Sequence, residues 1–329
     1  MADRRAVRVS RFGDPSALVV ADETLRRPRG AEVVVRVTHA SIGATDVLAR
    51  RGGYVFQPTP GFVPGYDFVG ELETESAVSV ALGLRAGARV AGVLPRMGSH
   101  ATRLVLSPTF LVAVPDGLDS AVAATAPIDG VTAALALRMG GGGSRVLVQG
   151  ASGAVGALAV QLAVQEGRTV VGTASARTRG YAEQFGIGVV DYHAADWMGQ
   201  ARRAAGGPFD VAIDHTGAPQ VRQALAPDGT LVHTAFAGRA GRERADSLRG
   251  SAAAARRRRG HPRERVCSVP FFVLTRRPQY RALLKGVLAA IDAGRLRPGE
   301  SAVYAFDDLW EAERAAERAE AGRKVVLAF

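Results

Sequence analysis

From residue 144 to residue 235, apolar strand-like runs alternate with helical ones, and no other feature of the chain narrows its fold as far. Strands are read at 146–149, 169–173, 189–192, 211–214 and 231–235, with helices between them at 154–165, 178–185, 195–205 and 219–225. Strands without polar alternation, separated by helices, belong to a parallel sheet covered on both faces, and right-handed crossovers then give a doubly wound α/β fold. At the head of the series Val146, Leu147, Val148 and Gln149 run into Gly150, Ala151, Ser152, Gly153, Ala154, Val155 and Gly156. A dinucleotide pyrophosphate requires close backbone approach, free N–H groups and the positive end of a helix, and small residues at this turn permit all three. Such glycines also serve tight turns in unrelated loops, so the weight comes from the flanking strand and helix.

The end of the second strand should face an adenosine ribose. An NAD-selective site would place Asp or Glu there, but the chain reads Gly172, Thr173, Ala174, Ser175, Ala176, Arg177, Thr178, Arg179, with no carboxylate until Glu183. Hydroxyl and guanidinium groups suit a 2′-phosphate, which predicts NADPH over NADH. The two arginines also read as solvated residues at a helix start.

The first ~120 residues have a different texture, with short β-like runs at 6–9, 32–38, 68–72, 89–93, 102–106 and 111–114 and Gly/Pro punctuation between them. Helices at 120–126 and 131–139 follow. The chain closes with helices at 280–293 and 307–321 and a strand at 324–327. A length of 329 residues accommodates two domains. They are expected at 1–122 with 275–329, and at 123–274. The charged, alternating start MADRRAVRVS predicts no secretory leader, and the lack of a long apolar run predicts no membrane span. The single cysteine, Cys267, excludes an internal disulfide and a cysteine-built structural zinc site, so a reducing cytoplasm is the expected setting.

The formal charge is +11, and ten arginines against three carboxylates fall between 239 and 265. Only Lys285 and Lys324 are lysines among 42 basic residues, a bias that resembles GC-rich codon usage as much as selection for charge. The stretch is read as a solvated basic loop inserted near the end of the second domain, with 251–259 either a basic helix or disordered. Nucleic acid binding is the lesser reading.

Several motifs then occur in order: Pro64, Gly65, Tyr66, Asp67, Phe68, Val69, Gly70; Gly87, Ala88, Arg89, Val90; Val114, Pro115, Asp116, Gly117; the glycine-rich turn through Ala163; and Gly322, Arg323, Lys324, Val325, Val326, Leu327. Together they resemble the medium-chain dehydrogenase/reductase superfamily, and within it the zinc-independent quinone oxidoreductase branch, the zeta-crystallin-like proteins. The resemblance implies a GroES-like β-rich catalytic domain built from both chain ends, a Rossmann cofactor domain, a cleft between them and a homodimer. It places Ser152, Gly153, Ala154 and Val155 at the pyrophosphate and Thr132 near the nicotinamide. Ser175, Arg177 or Arg179, and Tyr192 would surround the 2′-phosphate, with Thr216 and Phe236 closing over the cofactor.

Catalytic zinc in the related alcohol dehydrogenases uses Cys, a His-Glu pair and a second Cys. Here the matching stretches read Ala44, Thr45, Asp46 and Gly65, Tyr66, Asp67, so no zinc is expected. Without that Lewis acid, hydride transfer to a quinone or an α,β-unsaturated carbonyl is the natural chemistry. Alternatives are reduction or reductive cyclisation of an enoyl thioester or polyketide intermediate, with the arginines recognising an acidic carrier protein, and a non-catalytic nucleotide-binding role. Gly43 stands where the branch often has Asn. Tyr54 matches an aromatic beside the substrate pocket, either donating to a substrate carbonyl or packing on its wall. Asp46, Tyr66 and His100 are further pocket candidates. His39, His193, His215, His233 and His261 read as structural or exposed, and Cys267 has no histidine partner that would make it a nucleophile.

Overall fold

In the computed structural model, which describes residues 3–239, 241–260 and 263–329, the chain divides into two units: Met1–Val131 with Val269–Phe329, and Thr132–Ser268. His261 lies outside the described residues.

The first unit opens with β1 (Arg4–Val9) and β2 (Leu18–Glu23), paired antiparallel. There follow β3 (Val33–Ile42), α1 (Ala44–Arg50), β4 (Asp67–Leu72), α2 (Ala77–Ala81), β5 (Arg89–Val93), β6 (Arg103–Leu106), β7 (Leu111–Ala113), α3 (Ser120–Ala124) and α4 (Pro127–Gly140). The division between units falls within α4, and residue 122, the expected boundary, lies in α3.

The second unit contains β8 (Arg145–Val148), α5 (Ala154–Gln165), β9 (Thr169–Ala174), α6 (Arg179–Glu183), β10 (Gly188–Asp191), α7 (Trp197–Ala205), β11 (Phe209–Asp214), β12 (Leu225–His233), α8 (Glu243–Arg257) and β13 (Glu264–Val266). Its six strands are all parallel, in the order β10-β9-β8-β11-β12-β13. Counted from β8 this is 3-2-1-4-5-6, the doubly wound Rossmann order, whose ligands bind beyond the carboxyl ends of the strands. Leu147, Val171, Phe209, Ala212, Val221 and Leu231 belong to its buried core.

The arginine-rich stretch, expected as an inserted loop, is instead the last crossover of this sheet, α8 followed by β13. Apolar periodicity misses α8 because only Ala254 is buried along it. Its alanines and arginines are nonetheless strong helix formers.

The chain then returns to the first unit through α9 (Val269–Thr275), α10 (Arg277–Asp292), β14 (Glu300–Ala305), α11 (Leu309–Arg318) and β15 (Arg323–Ala328). β15 pairs antiparallel with β3 and parallel with β14, completing a seven-stranded sheet in the order β14-β15-β3-β4-β5-β7, with β6 on β3. Both chain ends therefore share one core, in which Val7, Val9 and Leu18 pack with Ile42, Phe306, Leu309 and Leu327. Arg50 is fully buried beside this core. Its guanidinium is satisfied by Glu313 at 3.0 Å, by Glu317 and by the Gly13 carbonyl, which is the condition for burying a charge.

Candidate functional site

In the second unit the glycine-rich turn joins β8 to α5. Gly150 has φ +67°, and a Cβ there would come within 2.6 Å of the His215 ring. A Cβ on Gly156 would meet the Gly150 carbonyl at 2.1 Å, so α5 starts this close to the turn only because residue 156 has no side chain. Gly153 is the N-cap of α5 and brings no side-chain hydrogen bond, while residues 152–155 are exposed or half-exposed. A 12-residue helix thus presents an open positive end at a turn of small residues.

Thr173, at the end of β9, fixes that turn from beneath. Its hydroxyl donates to Gln149 at 2.7 Å and accepts the Gly150 N–H at 3.1 Å, and its carbonyl accepts the Ala151 N–H. Gly172 packs against Ala151. Beyond the strand, three hydroxyls converge: Ser152 donates to Thr178 at 2.9 Å, and Ser175 lies 3.1 Å from Thr178. The sequence reading passed over Thr178, although its place among Ser175, Arg177 and Arg179 was the available signal. Arg179 is engaged with Glu183 at 2.6 Å, while Arg177 makes no ion pair among the described residues. Tyr192 follows β10, 44% exposed, with its ring against His193 at 4.3 Å between centroids.

Thr216 sits in the turn after β11, fixed by Asp214, whose carboxylate accepts the Thr216 N–H at 2.9 Å, the Thr216 hydroxyl at 2.6 Å and the Gly217 N–H at 2.8 Å. Phe236, after β12, lies over Gly217, where a Cβ would meet its ring at 2.7 Å. Thr132 is on α4 with its carbonyl 4.0 Å from the Cys267 sulfur. Burial pushes the Cys267 thiol up to about 12.

In the first unit a buried polar cluster occupies the ends of β3, β4 and β15. Lys324 donates to Asp129 at 2.6 Å, and burial, which alone would lower the ammonium's pKa, is outweighed by Asp129 and Asp67, which raise it. Asp67 accepts from the Ser41 hydroxyl at 2.7 Å and the Ile128 N–H at 3.2 Å, and burial lifts its carboxyl to about 6 against the pull of Lys324. Asp46, 4% exposed, accepts the Gly43 N–H on one oxygen and the Gly65 N–H on the other, both at 2.9 Å. A Cβ on Gly43 would stand 3.1 Å from the Lys324 nitrogen. His100 is fully buried, its Nε2 2.9 Å from the Ser41 carbonyl.

Tyr54 and Tyr66 approach each other hydroxyl to hydroxyl at 2.6 Å, rings edge to face. Burial pushes the Tyr54 phenol up to about 12 and Tyr66 higher still, so both stay protonated at neutral pH. Since one hydroxyl donates to the other, the pair keeps one O–H free to donate outward.

Residues 29–116 match the alcohol dehydrogenase GroES-like domain and residues 187–327 match a family described as zinc-binding dehydrogenase. A quinone oxidoreductase of Pseudomonas aeruginosa is 31% identical over 174 residues, 52% of this chain and 53% of the relative. A synaptic vesicle membrane protein VAT-1 homolog of Danio rerio is 30% identical over 216 residues, 62% of this chain and 43% of the relative. Two regions of the chain thus match dehydrogenase families, and about half of it is similar to quinone oxidoreductases.

It spans about half the length of the curated relatives it matches. Several solved structures overlay on nearly the whole chain. The quinone oxidoreductase of Coxiella burnetii has a TM-score of 0.80 at 23% identity and the apo form of JamJ enoyl reductase 0.82 at 20%, each covering 99% of both chains. A mycobacterial protein complexed with NADPH gives 0.78 at 24%, covering 99% of this chain and 100% of its own. At these identities the likeness shows the fold. No described helix is long and apolar enough to cross a membrane.

The superfamily implies a zinc ion in some members, and the residues here do not fit one. Both oxygens of Asp46 are taken by backbone amides, both oxygens of Asp67 by Ser41 and Ile128, and the Lys324 ammonium supplies positive charge to the same cluster. Thiolate and imidazole ligands of the kind zinc prefers are absent from positions 44–46 and 65–67. The turn after β8 does fit a dinucleotide, because its cradle closes if either Gly150 or Gly156 gains a side chain.

Proposed function

We propose that this protein is an NADPH-dependent, zinc-independent reductase that delivers hydride to a quinone or an α,β-unsaturated carbonyl. The reading rests on one observation above others: the hydroxyls of Ser152, Thr178 and Ser175 gather beside the open end of α5, with Arg177 close in sequence and no carboxylate at the end of β9. Carboxylates there would repel a 2′-phosphate, whereas hydroxyl donors and a guanidinium attract one.

Ser152, Gly153, Ala154 and Val155 would hold the pyrophosphate through backbone N–H groups. Arg177 would meet the 2′-phosphate, Arg179 being shared with Glu183. Thr132, Thr216 and Phe236 would flank the nicotinamide half. A bound reduced nicotinamide supplies the hydride. Tyr54, kept neutral by burial and oriented by Tyr66, would donate to the acceptor oxygen as it becomes enolate-like. Gly43, Asp46 and Tyr66 would shape the acceptor's surroundings, and His100 would support them from within.

A second acceptor class, an enoyl thioester on an acidic carrier, is favoured by the exposed arginines that flank α8, Arg242 and Arg258. The edge position of β13 supports a homodimer joined through the Rossmann sheet. A cytoplasmic setting agrees with the single thiol. The test is a fluorescence titration with NADPH and NADH on the protein and on Arg177→Ala. The expected result is a preference for NADPH that falls about tenfold in the variant. Equal affinity for both cofactors in the unaltered protein would refute the NADPH assignment.

A further inference from the structure

His233 ends β12 in the interior of the second unit, 1% exposed, and lies between two carboxylates. Its Nδ1 is 2.9 Å from Asp214 and its Nε2 is 2.9 Å from Glu264, both fully buried. A carboxylate at this distance accepts and an ionised one cannot donate, so the arrangement is complete only when the ring carries both N–H protons. Glu264 also accepts two guanidinium groups, Arg257 of α8 at 2.7 Å and Arg222 of the turn before β12. Burial alone would raise the Glu264 carboxyl, and the Arg257 and His233 hydrogen bonds hold it below its ordinary range. Asp214 is likewise lowered against burial by His233 and Thr216.

The other contacts of Asp214 lead to the turn after β11, which the proposed function sets beside the cofactor. Asp214 spends its remaining capacity on the Thr216 and Gly217 amides and the Thr216 hydroxyl. The His233 ring also packs on Phe236 at 4.9 Å between centroids. Phe236 is also approached by Gly250 of α8, where a Cβ would meet the ring at 2.7 Å, and its carbonyl accepts from Ser247.

We propose that His233 is a positioning residue for the cofactor: its doubly protonated ring bridges Asp214 to Glu264 and so ties the Thr216–Gly217 turn and Phe236 to the arginine-rich helix. The proposal rests on the nucleotide reading above. It also gives α8 a role, since Arg257 balances the second carboxylate that the bridge requires. The charged groups facing the ring are Asp214 from β11, Glu264 from β13, Arg257 from α8 and Arg222, and no other titratable side chain bonds to it among the described residues. Loss of one ring proton sets a lone pair against one carboxylate. Either Glu264 loses its link to β12, or Asp214, which shapes the turn, loses its partner.

The experiment reads the His233 ring protons by imidazole NMR in the full chain and measures NADPH and NADH affinities of the unaltered protein and of His233→Asn, with circular dichroism as the check on folding. The expected result is two ring N–H protons and about tenfold weaker binding of both nucleotides by the variant. A ring carrying a single N–H proton would overturn the proposal, as would a His233→Asn variant with the native affinity. If the variant does not fold, the ring protons of the unaltered protein decide alone. Failure of the unaltered protein to bind either nucleotide would remove the nucleotide reading, and with it this proposal.

Discussion

Lys324, near the start of β15, donates to Asp129, near the start of α4, at 2.6 Å, and neither side chain is more than 12% exposed. The pair joins the last strand of the chain to a helix nearly 200 residues earlier, and Asp67 lies within its field. Removing one member strands the other. Lys324→Met is therefore expected to cost about 3–5 kcal/mol in a denaturant titration, and the double variant Lys324→Met/Asp129→Asn should recover part of it. Additive losses would show that the two residues do not act together.

Gly43 leaves the space that the Lys324 ammonium fills. Gly43→Asn should strain this contact, costing about 1–3 kcal/mol, and the penalty should shrink in a Lys324→Ala background. A penalty independent of residue 324 would place the strain elsewhere.

Asp67 carries a carboxyl raised by burial to about 6, well above the ordinary aspartate range. A raised carboxyl binds its proton more tightly in the folded state. Its contribution is therefore most favourable below the unfolded value and is lost as pH rises through the folded one. The stability of the native protein relative to Asp67→Asn should fall between about pH 4 and about pH 6 and then level off. Paired chemical denaturations across that range measure it, and a rising difference would contradict the assignment.

On the proposed role of the phenol as donor to the acceptor, Tyr54→Phe should lower kcat about 10²-fold with little change in the KM for NADPH. Tyr66→Phe should have a smaller effect in the same direction, since it orients Tyr54 at one remove. With the Tyr54 phenol held up to about 12, the native rate should show no tyrosine limb at neutral or mildly alkaline pH. Equal, negligible losses in both variants would return the pair to a packing role.

Cys267 should resist alkylation in the folded protein and react after denaturation, as mass spectrometry with iodoacetamide can report. Its thiol is buried and pushed up to about 12, leaving very little thiolate at mildly alkaline pH. Rapid modification of the native chain would contradict this.

The Rossmann half was the more legible part of the sequence, because β8, β9, β10, β11 and the last residues of β12 are apolar runs bounded by a turn or helix. β13 escaped, and α8 was foreseen only as one of two alternatives at 251–259, because their contacts are ionic: Glu264 is held by Arg222, Arg257 and His233, which no hydrophobic period can reveal. β14 escaped for a related reason, as most of its residues are exposed or half-exposed. The polar cluster around Asp67 draws on residues 41, 46, 129 and 324, which only the closed sheet brings together. One sign of it was nevertheless present in the composition. In a chain where arginine is the rule, one of the two lysines stands at 324, where a compact ammonium fits beside Gly43 and a planar guanidinium would need more room.

The central claim is that the Rossmann unit holds NADPH for hydride delivery to an activated carbonyl. It is tested most directly by titrating the full-length chain with NADPH and then adding, in the same cuvette, a quinone, an enone and an enoyl thioester while cofactor absorbance is followed. The account predicts binding of NADPH in preference to NADH, and cofactor oxidation with at least one of these acceptors. No binding of either nucleotide, or tight binding with no oxidation by any of the three, would contradict it.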